Sequence, residues 1–109
     1  MIKMGVDLRG LKPQMVIAHT IACWVYYHVT GNPYACVITS CSDGVHGPNS
    51  LHYSGNALDI RINTIRPEQL ATVKKELIFA LGEQFDVVLE ADHFHIEFDP
   101  KEKDKPADA

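Results

Sequence analysis

His93-Phe94-His95-Ile96-Glu97-Phe98 alternates polar and apolar side chains without a break, and Ala57-Leu58-Asp59-Ile60-Arg61-Ile62 repeats the pattern upstream. Successive side chains on a β-strand point to opposite faces, so period two predicts two half-buried strands. Phe94, Ile96 and Phe98, with Leu58, Ile60 and Ile62, then supply an apolar sheet face. His93, His95, Glu97, Asp59 and Arg61 lie on the opposite, polar one. A sheet that is apolar on one side needs a second layer to cover it.

The flanking sequence offers that layer. Pro13 suits the first position of a helix, and Ile17, Ile21, Trp24, Val25 and His28 recur at helical spacing until Gly31 closes the segment. A helix is therefore expected over residues 13 to 30. Beyond the Gly31-Asn32-Pro33 turn, Ala35 to Ser40 reads as a strand, and the glycine-rich polar stretch Cys41 to Ser50 as a long loop. A second helix starts at Pro67, carries Leu70, Val73, Leu77 and Leu81 on one stripe, and ends at Gly82. Val87 to Leu89 reads as a strand joined to His93 to Phe98 near Ala91 and Asp92. The order helix, strand, strand, helix, strand, strand predicts an α+β domain with two helices packed on one face of a small, largely antiparallel sheet. The domain is expected over residues 1–99, and the Lys-, Glu-, Asp- and Pro-rich residues 100–109 as a disordered polar tail.

Bulk properties narrow the function classes. A chain of 109 residues with 46% apolar content can bury one core. A net charge of −4 with interspersed signs gives no footprint for nucleic acid or anionic lipid. No apolar run approaches the roughly 18 residues that a membrane span needs, and Met1 to Gly5 do not begin a signal peptide, so synthesis in the cytoplasm and no membrane insertion are expected. Cys23, Cys36 and Cys41 show no C-x-x-C spacing, which suggests neither a disulfide framework nor a thiolate zinc site. All three read as reduced, mostly buried thiols, and His19 and His28 as surface or packing residues of the first helix.

The remaining histidines, His46, His52, His93 and His95, fall in loops or on strand positions beside them. Gly55 and Asn56 lie between His52 and Asp59 and allow a sharp turn that would bring both side chains to one point. Together with a histidine of the last strand, they make two imidazoles and a carboxylate. That set suits zinc, with the fourth position left to water as in catalytic sites. Hydrolysis on such a metal also needs a carboxylate that is not a ligand, to carry the proton from water to the leaving amine. Asp92 is the leading candidate provided that it sits in the turn before regular pairing begins, with Glu90 and Glu97 in reserve. Taken singly, each feature has a commoner explanation: an H-x-H pair arises often by chance, and Asp59 could pair with Arg61 or a lysine.

Ser50 to Asp59 read S-L-H-Y-S-G-N-A-L-D, which fits S-x-H-x-x-G-x-A-x-D at all five fixed positions, and Asp92 to His95 add a downstream acid-x-x-His. In these motifs and in element order, from about Pro13 to Phe98, the chain resembles the zinc D-alanyl-D-alanine carboxypeptidases and dipeptidases and the phage L-alanyl-D-glutamate endolysins, whose fold is shared with the Hedgehog signalling domain. The resemblance implies that His52, Asp59 and His95 are the zinc ligands and Asp92 the general base. It implies that His93 beside the metal helps to polarise the scissile carbonyl. Many members carry Ser-Gly-Tyr-Arg after the strand preceding the motif. Here Ser40-Cys41-Ser42-Asp43 stand there and the arginine is missing, with His46 or His93 as substitutes. Ser50 and His46 are the candidate substrate-binding residues.

The expected activity is hydrolysis of peptidoglycan stem peptides by a monomeric, phage-type endolysin that a separate pore releases to the wall. A D-alanyl-D-alanine carboxypeptidase is the alternative within the enzyme class, disfavoured by the missing cation for a free carboxylate. A zinc-stabilised binding module is the alternative outside it, disfavoured by a carboxylate at position 92 that only catalysis would use.

Overall fold

The computed structural model describes residues 2–6, 8, 10–41 and 56–99. Helix α1 spans Pro13–Thr30 and helix α2 spans Pro67–Leu81, each with proline in its first turn, where the missing N–H has no intrahelical partner to lose. Gly31 ends α1 in the left-handed region at φ 73°, and its N–H donates to the Tyr27 carbonyl at 2.8 Å. Glu68 lies in the first turn of α2, where a negative charge complements the helix dipole.

Four strands follow the expected order: β1 (Ile38–Ser40), β2 (Ala57–Arg61), β3 (Phe85–Leu89) and β4 (His93–Phe98). They form one sheet in the order β1-β2-β4-β3, with every neighbouring pair antiparallel. The fold is thus α+β, two helices over a four-stranded antiparallel sheet. β3 and β4 make the expected hairpin, closed by the Glu90 N–H donating to the His93 carbonyl at 2.9 Å.

Three strand boundaries differ from those read in the sequence, the smallest difference being that β2 ends at Arg61, one residue before Ile62. Ala35 to Val37 are buried, yet only Ile38–Ser40 pair as a strand; the alternation of β-forming residues registers burial, whereas ladder bonds need a partner strand alongside. β3 begins at Phe85, two residues early, because Phe85 pairs with Phe98 and their rings pack at 5.3 Å.

The buried face of α1 also differs. Met15, Ala18, Ala22, Val25 and Tyr26 are buried, whereas Ile17 and Trp24 are more than half exposed. The helix is apolar nearly all round, so periodicity leaves its rotation open; the small Ala18 and Ala22 face inward because they allow close approach to the neighbouring layer. On α2 the expected stripe holds, with Val73, Leu77 and Leu81 buried and Leu70 packed against them. Leu58, Ile60, Phe94 and Ile96 are fully buried under the helices, and Tyr26 meets Phe94 edge to face at 6.5 Å. The Tyr26 hydroxyl donates to the Arg61 carbonyl at 2.9 Å, which pins α1 to the end of β2. Among the described residues, no helix is long and apolar enough to cross a membrane.

Candidate functional site

β2 and β4 are the two central strands, and their register sets Asp59 directly opposite His95 and Arg61 opposite His93. Directly paired side chains on one face come within contact distance, so this register alone brings a carboxylate to an imidazole from 36 residues away. His95 Nδ1 lies 2.8 Å from Asp59 Oδ1, and His95 Nε2 lies 2.7 Å from Glu97 Oε1. The other oxygen of Asp59 faces His93 Nε2 at 3.5 Å, and Glu90 Oε1 lies 3.3 Å from the same nitrogen. His93 Nδ1 contacts Asp92 Oδ1 at 2.5 Å. Asp92, His93, Asp59, His95 and Glu97 therefore form one continuous polar chain across the outer face of the sheet.

Asp92 sits in the bend before β4 begins, the position that a base three residues before His95 requires, and its side chain is 87% exposed. Asp59 and His95 are mostly covered, at 14% and 17%. The centre of the chain is thus held by packed strands while its Asp92 end is open to solvent.

Four carboxylates around two imidazoles make the face strongly acidic. The Asp59 hydrogen bond leads in raising the His95 pKa from its ordinary value to about 9; partial burial opposes this, and Glu97 adds to it. For His93, burial works against the charge, but the hydrogen bond that its ring donates to Asp92 and the nearby Asp59, Asp92 and Glu90 prevail and raise its pKa too. Without a metal, the flanking carboxylates favour the protonated form of the His95 ring.

Of the residues singled out in the sequence, Asp59, Asp92, His93 and His95 are brought together. His46, Ser50 and His52 lie outside the described residues, as do the loop from Ser42 onward and the tail from residue 100. Ser40, where the Ser-Gly-Tyr-Arg segment would start, pairs with Asp59, and Cys41 is fully buried.

Among the described residues, two further groups of potential ligands have donor atoms that all lie within 4.8 Å of one another: Asp86, Glu97 and Asp99 at the edge hairpin, and His19, Cys23 and Cys36 on the helical side. The three cysteines are free thiols, two of them buried, as expected, but the second group sets two of them beside a histidine, an arrangement that the C-x-x-C spacing test is too narrow to find. His19 and Cys23 are four apart on α1, a visible signal, but nothing local in the sequence connects them to Cys36.

No family model, no curated protein and no solved structure matches this chain.

Proposed function

We propose that this chain is a zinc-dependent peptidase acting on peptidoglycan stem peptides, an endolysin of the L-alanyl-D-glutamate type built on the Hedgehog/DD-peptidase fold. The observation that carries the reading is the pairing of Asp59 with His95 on adjacent central strands, 2.8 Å apart on a covered acidic face. It makes a spatial pair of residues that two separate sequence motifs name as ligands. The donor set fits zinc: a neutral imidazole and a carboxylate are both zinc ligands, and surplus negative charge favours a cation. Glu97 supplies what a ligating histidine ordinarily has, a carboxylate on its other ring nitrogen.

In this reading His52, Asp59 and His95 hold the metal, which when bound supplies a Lewis acid beside the scissile carbonyl. Asp92 takes a proton from the attacking water and returns it to the leaving amine as the C–N bond breaks. Its exposure at the open end of the polar chain suits an acceptor that must meet substrate. His93, held between Asp92, Glu90 and Asp59, keeps Asp92 oriented and offers an N–H to the developing oxyanion.

Purified zinc-loaded protein incubated with muropeptides, with products identified by mass spectrometry, tests the proposal. Asp92→Asn should keep zinc and fold while turnover falls by on the order of a hundredfold. His95→Ala should lose metal and activity together. Cleavage next to a terminal D-alanine alone would select the carboxypeptidase reading. A wild type that binds zinc but cleaves no muropeptide would replace both with a zinc-stabilised binding module.

A further inference from the structure

The turn that closes α1 reverses the chain. Asn32 Oδ1 accepts from the Tyr34 N–H at 2.9 Å and the Asn32 carbonyl from the Ala35 N–H at 3.2 Å, so residues 33 to 36 run back along the helix. This closed turn returns the chain within a few residues, and Cys36, just beyond it, comes to lie beside Cys23. His19 lies one turn further along the same side of α1, its Nε2 3.1 Å from Cys23 Sγ. Cys36 is buried, while Cys23 and His19 are partly open to solvent.

We propose that His19, Cys23 and Cys36 form a metal site for a thiophilic cation of the zinc type, bound through one imidazole nitrogen and two sulfurs. It is separate from Asp59 and His95, which lie on the far face of the sheet, and it does not depend on the peptidase reading. The donor atoms all lie within 4.8 Å of one another, so side-chain shifts of about an ångström bring them to the roughly 3.5 Å spacing of ligands around tetrahedral zinc. Two sulfurs select zinc or softer ions over magnesium and calcium, which want oxygen. The imidazole distinguishes the site from a simple dithiol, since a disulfide between Cys23 and Cys36 would have no use for a third donor. The hydrogen bond from the Cys36 thiol, reinforced by His19 against the opposing effect of burial, stabilises the Cys23 thiolate, while the Cys36 pKa is raised. The partly exposed side of the cluster leaves the fourth position to solvent or a small ligand. A bound ion would tie α1 to the segment that leads into β1.

Cobalt(II) reports this site separately from the acidic face, because thiolate ligation produces a near-ultraviolet charge-transfer band that nitrogen and oxygen ligands do not. The full-length, reduced, metal-stripped protein should develop that band with about one equivalent of cobalt. Asp59→Asn should retain it, and Cys23→Ser should abolish it with the far-ultraviolet circular dichroism unchanged. His19→Gln, a milder change on a partly exposed position, should weaken binding at least tenfold. Zinc should protect Cys23 from alkylation, as read by peptide mass spectrometry. A wild type with three titratable thiols and no charge-transfer band, a band that survives Cys23→Ser, or alkylation of Cys23 at equal rates with and without zinc would each overturn the proposal.

Discussion

Raising the pH of the metal-free protein from about 6 to about 9.5 should cost close to 3 kcal/mol of stability through His95 alone. The side chain is 17% exposed and lies between Asp59 and Glu97, and its folded pKa is about 9 against an ordinary 6.5. A difference of about 2.5 units, at about 1.4 kcal/mol each, corresponds to roughly 3 kcal/mol. Because the folded value is raised, the stabilisation is fully present below about pH 6.5 and is lost as pH climbs through 9. Urea unfolding in the presence of a chelator, with wild type and His95→Gln compared at both pH values, isolates this contribution from those of the other titrating groups. The wild type should lose about 3 kcal/mol more than the variant. Saturating zinc should abolish that excess loss, since a metal takes the deprotonated ring and binds better as pH rises. If chelated wild type and variant lose the same stability, His95 is not held as a cation between the two carboxylates, and the electrostatic account of the site fails.

Three further outcomes follow from the packing. Tyr26→Phe should cost about 1 kcal/mol in chemical denaturation by leaving the Arg61 carbonyl without its donor, with little change in structure. Phe94→Ala should cost about 3–5 kcal/mol and lower the melting temperature sharply, because the ring is fully buried between Tyr26 and the sheet. Deletion of Lys101 to Ala109, a stretch with few apolar groups, should leave melting temperature and turnover nearly unchanged; a large drop in either would show that it docks on the domain.

Both helices and the last strand were legible in the sequence to the residue, because proline and glycine mark the helix ends and period two marks the strand. The same alternation put Asp59, His93 and His95 on the polar face. The rotation of α1 was not legible: a helix with apolar residues on every side carries no preferred face until its neighbours exist, and contact selected Ala18 and Ala22 over Ile17 and Trp24. Register was the other unknown. A slip of two residues would keep every side chain on its face yet separate Asp59 from His95, and only the assembled β2–β4 ladder sets them opposite each other. The meeting of Cys36 with His19 and Cys23 has the same origin. Local periodicity specifies which way a side chain points within its own element, whereas the partner it finds depends on how a turn and a neighbouring strand bring distant parts of the chain together, a quantity that exists only in the folded state.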